Sequence, residues 1–528
     1  MKTLLLTTVA TFGLAGLAAA ETLPQADTDW FKNAQATIQE RLAVQPITGT
    51  AKNVILFTAD GNGVGTNYAI RLYSGQLEGG LGDDYVQPHE RFPNVALVKT
   101  YTSNGQTADS APTAGAMNSG VKGKNGMINI MDHVSVGDCA AGADAGTKTF
   151  AEIVSEMGKS VGVISTARIT HATPAAVYAR TVHRDYESDA QVPEGCDQKD
   201  IAAQMMDQLN AGVLDVVLGG GRRAFLPENV ADTEGRNGQR QDGRNMIEEL
   251  QAAGAQVVFA DTDFAELDLN ATNAPIVGLF ESSHMMYDLD RTGEPSLAEM
   301  TEAAITSLSN NENGFYLNVE GGRVDHANHD GNLHRTVGDG KAFADAIAKA
   351  IEMTDPAETL IIVTADHEHA IAFNGYCGRG SNILGLCMQE NDSGVEHTGQ
   401  PNLAADGKPY TVAGFLNGAG SVLVEQALPE SPEGEQIASD ATAPAPAEST
   451  EAEAPTPVFA APEGRPTVTE EQATDIDYLQ QALIPMSSET HAGTDVAVFA
   501  NGPWAHLFGG VIEQNVIFHV MHHAVTAE

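Results

Sequence analysis

Short apolar runs alternate with longer amphipathic segments over residues 51–374 of the chain. Runs of four or five mainly apolar residues predict buried strands at 53–57, 161–164, 215–218, 315–319 and 360–363. Apolar positions at helical spacing predict helices at 149–157, 201–209, 245–252 and 301–308. Because continuous apolar strands separated by helices are typical of parallel sheets, we expect a parallel sheet with helices on both faces.

The pattern changes over residues 429–466, which are dense in Pro, Ala, Ser, Thr and Glu and have almost no apolar periodicity. This composition cannot bury enough surface to offset the entropy lost on ordering, so it predicts a flexible insertion. After it, residues 478–484 predict a helix and residues 495–499 predict a further strand.

The first twenty residues have the pattern of a secretory signal peptide. Lys2 precedes an apolar run from Leu4 to Leu17, and Ala18, Ala19 and Ala20 follow it. We therefore expect cleavage near Ala20 and a periplasmic or secreted protein. The run is short for a membrane span, and no later segment is long and apolar enough to be one.

The chain is strongly acidic, with 28 Lys and Arg against 71 Asp and Glu in 528 residues and a net charge of −43. Hydrophobic residues make up 42% of it, which supports a buried core. A surface of this charge repels phosphate backbones, so general nucleic-acid binding is disfavoured. An enzyme for anionic substrates would need metal ions or arginine in its site. We attribute most of the charge to solubility, including solubility in salt, and expect a halotolerant protein.

The four cysteines, Cys139, Cys196, Cys377 and Cys387, are an even number in a chain predicted to be exported. They predict disulfides, with three possible connectivities. Cys377 and Cys387 are close enough in sequence to join a short loop, and Cys139 with Cys196 would then close a longer one. The alternative, a thiolate metal site, lacks a CxxC spacing.

Polar residues follow several of the predicted strands. Asp60 comes after the first strand, Glu320 after the run 315–319, and Asp366 after the run 360–363. In an open parallel sheet, sites form beyond the carboxyl ends of the strands, so these carboxylates are expected to meet. Because clustered carboxylates are costly to dehydrate, divalent cations are their natural partners.

Histidines near these carboxylates indicate which cations bind. Asp325 and His329 are four residues apart and would share one face of a helical turn, and His367 follows Asp366 directly. Imidazole with carboxylate favours zinc, whereas ligation by oxygen alone favours magnesium. The alternative is that each Asp caps a following helix and each His is an ordinary surface residue.

Residues 107–116 contain Asp109 and Ser110 before a run of small residues. Asp and Ser are favoured helix caps, so a structural role is sufficient to explain them. A serine at a helix N-terminus also lies beside N–H groups that attract anions, and a metal ion can make its oxygen a nucleophile.

Taken together, these motifs resemble the alkaline phosphatases. The matching stretches, in this order along the family's pattern, are Asp60, residues 109–111, residues 165–176, the block of Glu320, Asp325 and His329, residues 366–367, residues 489–493 and residues 496–506. The resemblance implies a three-layer α/β/α sandwich with a mostly parallel central sheet. The catalytic domain would span residues 21–528, with a crown-like insertion at 376–485.

The resemblance also implies roles for individual residues. Ser110 would be the phosphorylated nucleophile. Arg184 would be the arginine that binds phosphate beside Asp109, and Arg180 is the alternative candidate for this arginine. Two Zn²⁺ and one Mg²⁺ are implied per subunit. One Zn²⁺ would be held by Asp325, His329 and His491, and the other by Asp60, Asp366 and His367. The Mg²⁺ would be held by Asp60, Thr173 and Glu320.

Three further histidines bear on the resemblance. His171 and His326 stand at the two variable positions beside the magnesium site, as in animal-type and some marine bacterial enzymes. His397 precedes Thr398 and Gly399, a pattern that one branch of the family uses for a zinc ligand. The context of His491 matches the family better.

The function implied is hydrolysis of small phosphate monoesters through a phosphoserine, with broad substrate range, an alkaline optimum and a homodimeric enzyme. The same metal core serves phosphodiesterases and sulfatases. Sulfatases need an arginine where this chain has Ala114, and diesterases typically lack the third metal site and the arginine. A non-catalytic acidic protein that binds metal or phosphate is the remaining alternative, and the presence of Ser110 and Arg184 argues against it.

Overall fold

The structure is a computed structural model that describes residues 23–272, 274–426, 458–460 and 464–527. The predicted signal peptide at 1–20 lies outside the described residues. So does most of the predicted flexible segment at 429–466.

The chain divides into two compact units at Gln45. The described part of the first unit contains helix α1 (Asp29–Ala43). Thr28 caps this helix, because its side-chain oxygen accepts a hydrogen bond from Phe31 N at 3.3 Å. No side chain of α1 is buried.

The second unit is built around a large sheet. Ten strands form this sheet in the described part of the chain: β1 (Asn53–Ala59), β2 (Asn94–Lys99), β3 (Ser160–Arg168), β4 (Val216–Gly220), β5 (Gln256–Val258), β6 (Ile276–Leu279), β7 (Phe315–Gly321), β8 (Thr359–Ala365), β16 (Val496–Asn501) and β17 (Val511–Glu513). Their order is β17-β2-β16-β8-β1-β7-β3-β4-β6-β5. All neighbouring pairs are parallel except those of β16, which runs antiparallel to β8 and β2. The mostly parallel sheet is thus confirmed, and all six predicted strands belong to it.

Thirteen further helices belong to the described part of the second unit: α2 (Val64–Leu77), α3 (Ser110–Ser119), α4 (Cys139–Gly142), α5 (Phe150–Glu156), α6 (Ala172–Ala175), α7 (Ile201–Asn210), α8 (Met246–Ala252), α9 (Asp261–Phe264), α10 (Leu297–Leu308), α11 (Arg323–His329), α12 (Leu333–Met353), α13 (Glu470–Ala473) and α14 (Val516–Thr526). The four predicted helices correspond to α5, α7, α8 and α10. Local sequence explains where they begin: Thr149 caps α5 and exchanges hydrogen bonds with Glu152, and Asp200 caps α7.

Two apolar cores lie on opposite faces of the sheet. Side chains from α3, α5, α7 and α14 pack on one face, and side chains from α10 and α12 pack on the other. The central strands β7 and β8 are buried along their whole length for this reason. This arrangement explains why their sequences are largely apolar rather than alternating between apolar and polar residues. It also confirms the three-layer α/β/α architecture.

Smaller sheets complete the second unit. β10 (Ile371–Phe373), β11 (Ala413–Gly418) and β14 (Ala482–Pro485) form one sheet, β12 (Val424–Gln426) pairs with β13 (Val458–Ala460), and β9 (Glu368–His369) pairs with β15 (His491–Ala492). The prediction of a helix at 478–484 is therefore wrong. Its last residues form β14, because Ala482 and Ile484 pair in parallel with Phe415 and Asn417 of β11. Long-range pairing overrides the local helical spacing.

The two disulfides join Cys139 to Cys196 and Cys377 to Cys387. Their Cα atoms lie 5.5 and 4.8 Å apart, within the range that a disulfide spans without backbone movement. Disulfide formation is confirmed, and the structure selects one of the three connectivities. Among the described residues, no helix has the length and apolar character needed to cross a membrane.

Candidate active site

Three neighbouring strands bring the predicted carboxylates together. β1 lies between β7 and β8, with Thr58 of β1 in register with Glu320 of β7 and Ala59 in register with Ala365 of β8. Asp60 and Asp366 are the first residues after β1 and β8. All three carboxylates are therefore at the same edge of the sheet, and all are at most 1% exposed.

The first group of potential metal ligands consists of Asp60, Asp366 and His367. His367 Nε2 lies 3.3 Å from Asp60 Oδ1 and 3.1 Å from Asp366 Oδ2. Gly61 N donates a hydrogen bond to Asp366 Oδ1 at 3.0 Å, which fixes this carboxylate. Asp366 and His367 converge because both lie beyond the last residue of β8, where side chains no longer alternate across a sheet.

The second group consists of Asp325, His329 and His491. Asp325 Oδ1 lies 3.4 Å from His329 Nε2 and 3.3 Å from His491 Nε2, and the two Nε2 atoms are 3.0 Å apart. Asp325 and His329 share one face of α11, as predicted from their spacing. Each ring directs Nδ1 at a carbonyl oxygen, of Glu489 for His329 and of Ala108 for His491. Because a carbonyl only accepts, each Nδ1 carries the proton and each Nε2 lone pair faces the group.

His369 was not predicted, yet it adjoins the second group. Its Nε2 lies 2.8 Å from Asp325 Oδ1, and its Nδ1 contacts Glu489 Oε2. Glu489 is fixed in turn by Ala370 N, which donates to its other oxygen at 2.6 Å. His369 follows Asp366 and His367 closely in sequence, but only the pairing of β9 with β15, which sets His369 opposite His491, identifies its position.

Thr173, Asp60 and Glu320 form a third, oxygen-rich group. Thr173 Oγ1 donates a hydrogen bond to Asp60 Oδ2 at 3.2 Å. Ser165 Oγ donates to Glu320 Oε2. The other oxygen, Glu320 Oε1, is buried and has no hydrogen-bond partner among the described residues. A buried carboxylate oxygen without a partner is rare in proteins and is the arrangement expected of a cation ligand.

Burial and mutual repulsion dominate the electrostatics of these carboxylates. Burial raises the pKa of Asp60 well above its ordinary value, and the charges of Asp366 and Asp325 raise it further. Burial likewise raises the pKa of Glu320 to about 8. Ionised carboxylates are stable in such a setting only with compensating positive charge. The donors fit divalent cations, with His and Asp suited to zinc and oxygen ligands suited to magnesium.

Ser110 is the first residue of α3 and lies beside the first group. Its Oγ is 3.3 Å from Asp60 Oδ1 and 3.2 Å from His367 Nε2. Asp109 caps the helix by accepting a hydrogen bond from Ala111 N at 2.7 Å. The start of α3 therefore brings the Ser110 hydroxyl, the positive end of the helix dipole and the potential metal ligands together.

Arg184 faces the same point. Its Nη1 donates to Asp109 Oδ1 at 2.9 Å, and its Nη2 is 3.0 Å from His171 Nε2. Arg180 instead pairs with Glu152 and donates to the carbonyl of Thr147. The two arginines therefore differ in environment: Arg184 is part of the site, and Arg180 belongs to a structural ion pair.

The remaining predicted histidines differ in position. His171 contacts Arg184, and the ring centroid of His326 lies 5.5 Å from that of His171. His284 packs on His326, with ring centroids 4.0 Å apart. His284 was not predicted, and its sequence context gives no signal of this contact. His397 belongs to none of the potential metal-ligand groups in the described part of the chain.

Comparison with known proteins agrees with this geometry. The sequence profile of the family described as alkaline phosphatase matches residues 51–527. An alkaline phosphatase of Gadus morhua is 38% identical, over 97% of this chain and 98% of the relative. The tissue-nonspecific isozyme of Gallus gallus is 36% identical, over 99% of this chain and 94% of the relative.

Solved structures show the same fold. The alkaline phosphatase from the Antarctic bacterium TAB5 matches with a TM-score of 0.58 at 22% identity, over 91% of this chain and 99% of that one. The Thermus thermophilus alkaline phosphatase matches with a TM-score of 0.60 at 21% identity, over 92% and 93% of the two chains. The chain therefore belongs to the alkaline phosphatase family of metal-dependent phosphate monoester hydrolases.

Proposed function

We propose that this enzyme transfers the phosphoryl group of a monoester to Ser110 and then to water, with two Zn²⁺ and one Mg²⁺ in its site. The observation that carries the proposal is the position of Ser110. Its Oγ contacts the group formed by Asp60, Asp366 and His367 while it starts a helix whose cap, Asp109, also holds Arg184.

The three groups of ligands would each hold one cation. One Zn²⁺ would be held by Asp325, His329 and His491. The second Zn²⁺ would be held by Asp60, Asp366 and His367, and the Mg²⁺ by Asp60, Thr173 and Glu320. A substituted variant of the TAB5 alkaline phosphatase was solved with Mg bound in its M3 site. When bound, the cations supply positive charge that stabilises the oxygens entering and leaving the phosphoryl group.

Ser110 acts as the nucleophile. In the resting site its hydroxyl donates a hydrogen bond to Asp60 Oδ1, so the proton is held on the Asp60 side. Once phosphorylated, Ser110 would carry its negative charge at the N-terminus of α3. The helix dipole favours an anion at this position.

Arg184 binds the nonbridging oxygens of the phosphoryl group. Asp109 and His171 each contact a different terminal nitrogen of its guanidinium, which fixes the plane of the fork. A planar, two-pronged donor matches phosphate in a way that lysine does not. Because the assigned groups all bind the phosphoryl group, we expect weak discrimination between leaving alcohols and therefore a broad substrate range.

The remaining proposals concern the whole protein. Residues 21–528 form the catalytic domain with a crown-like insertion at 376–485, and the enzyme is a homodimer with an alkaline optimum. It is periplasmic or secreted, which its two disulfides support, because disulfides persist in oxidising compartments. Its acidity supports tolerance of salt.

The test is hydrolysis of p-nitrophenyl phosphate by the wild type, Ser110→Ala and Ser119→Ala. Ser119 is the last residue of the same helix, and its hydroxyl donates a hydrogen bond to the Gly115 carbonyl within that helix, so it is the matched control. We expect Ser110→Ala to lower kcat by at least about 1,000-fold, with Ser119→Ala close to wild type. Chelation should abolish activity, and Zn²⁺ with Mg²⁺ should restore it. Activity that survives both chelation and Ser110→Ala, or a preference for bis(p-nitrophenyl) phosphate, would overturn the proposal.

A further inference from the structure

Three arginines lie on the side of the site that carries His326, and we name Arg168, Arg223 and Arg323 the arginine rim. Arg323 contacts His326, Arg168 contacts His284, and Arg223 is close enough to Arg168 for their charges to repel. Arg323 begins α11, the helix that also carries Asp325 and His329. Its Nη1 lies 3.2 Å from His326 Nδ1, and its guanidinium stacks on the Tyr287 ring at 3.8 Å.

The arginine rim is continuous with Arg184. His171 contacts Arg184, and His326 lies beside His171. From His326 the contacts run in two directions, to Arg323 and through His284 to Arg168. An anionic group of a substrate bound at Arg184 would therefore meet Arg323 after passing two histidine rings.

Arg323 lies near the carboxyl groups of Asp339 and Glu294 but forms a salt bridge with neither of them. It forms no ion pair with a carboxylate of the described residues, and its Nε is buried without a hydrogen-bond partner. Arg223 likewise forms no ion pair within the described chain, and Arg168 is paired with Glu187. Half-buried guanidinium groups are normally paired. In a protein with 71 acidic and 28 basic side chains, an arginine beside the active site that forms no salt bridge and has a buried, unpartnered Nε points to an anion that arrives with the substrate.

We propose that Arg323, supported by Arg223 and Arg168, binds a second anionic group on the leaving alcohol. The enzyme would then favour monoesters whose alcohol carries a second phosphate or a comparable anion. This inference rests on the proposed function and gives its substrate class. The guanidinium groups of the rim would then supply positive charge to the substrate within a chain of net charge −43.

The test compares hexane-1,6-diol bisphosphate with hexyl phosphate by initial phosphate release. The two substrates share a leaving chain and differ in the distant anion. The bisphosphate has two equivalent ends that can react. An enzyme with no preference would therefore show a kcat/KM about two times higher for the bisphosphate than for hexyl phosphate. For the wild type at low salt we expect the ratio of the two kcat/KM values to exceed this statistical value by about 5- to 10-fold, the gain expected from one charge-assisted hydrogen bond. The difference should come from a lower KM for the bisphosphate and not from a higher kcat.

The decisive variant is Arg323→Gln, with Arg91→Gln as control. Arg91 is exposed at the end of the short helix 88–91 and also forms no ion pair within the described residues. Arg323→Gln should return the ratio to about two, Arg323→Lys should retain part of the preference, and Arg91→Gln should retain all of it. A wild-type ratio at the statistical value, or an equal loss in Arg91→Gln, would overturn the proposal.

Ionic strength provides a second test that needs no variant, should Arg323→Gln fail to fold. The wild-type preference should decline steadily from about 0.02 M to about 0.5 M salt, because screening shortens the range of the rim's field. A preference independent of salt would contradict the proposal. Absence of hexyl phosphate hydrolysis would instead contradict the proposed function itself.

Discussion

His369 Nε2 lies 2.8 Å from Asp325 Oδ1, on the oxygen that also faces His329 and His491. The opposite nitrogen of the ring contacts Glu489, and both partners are buried. Burial alone would lower the pKa of His369, but hydrogen bonds to these two carboxylates raise it to about 10. The His369 ring, held by Glu489, therefore fixes the orientation of Asp325, a predicted metal ligand.

Replacing His369 should weaken metal retention. We expect His369→Asn to bind zinc about 10- to 100-fold more weakly, because Asp325 loses the ring that orients it. The measurement is zinc content after dialysis against a graded chelator series. His397→Asn is the control, since His397 lies outside the ligand groups of the described residues. Equal zinc retention in His369→Asn and wild type would show that the ring has no such role.

Arg184→Lys should lower kcat/KM for p-nitrophenyl phosphate by about 10- to 100-fold. Lysine keeps the charge but loses the planar fork that Asp109 and His171 hold. Arg180→Lys is the matched control, because Arg180 pairs with Glu152 away from the site. Inhibition by inorganic phosphate should weaken in parallel in Arg184→Lys only. An equal effect of the two substitutions would contradict the assignment of Arg184.

His89 should make stability depend on pH. Burial lowers its pKa to about 4, and its Nε2 lies 3.0 Å from Asn67 Oδ1. The unfolded chain, with an ordinary histidine pKa near 6.5, therefore binds this proton more readily than the folded one. The stabilising contribution is complete above about pH 6.5 and is lost as the pH falls towards 4, by about 3 kcal/mol in all.

The measurement is denaturant unfolding of wild type and His89→Gln between pH 7.5 and about 4.5. The metal ligands titrate in both proteins, so only the difference between them reports on His89. We expect the advantage of the wild type to shrink as the pH falls. A difference that stays constant or grows on acidification would show that His89 is not held neutral by burial.

Much of the site could be predicted from the sequence because it lies where strands end. Asp60, Glu320 and Asp366 follow strand runs that are mainly apolar, and parallel strands place their carboxyl ends at one edge. Asp325 and His329 share a helical face because helical spacing is local. Such relationships depend on residues close in sequence or on a general rule of sheet topology.

Other features depend on long-range pairing, which local patterns do not encode. The segment 478–484 has helical spacing, yet Ala482–Pro485 forms a strand because it pairs with β11. His369 becomes a partner of Asp325 through the pairing of β9 with β15. The arginine rim likewise arises from contacts between α11 and the loop at His284, far apart in sequence.

The most direct test of the central claim is to trap the intermediate. The enzyme, loaded with Zn²⁺ and Mg²⁺, is mixed with p-nitrophenyl phosphate, quenched in acid within one turnover, digested and analysed by mass spectrometry. We predict phosphate on Ser110 in the wild type, and none in Ser110→Ala or in chelated enzyme. Phosphate on another residue, or full turnover with no phosphorylated Ser110 at any quench time, would contradict the account.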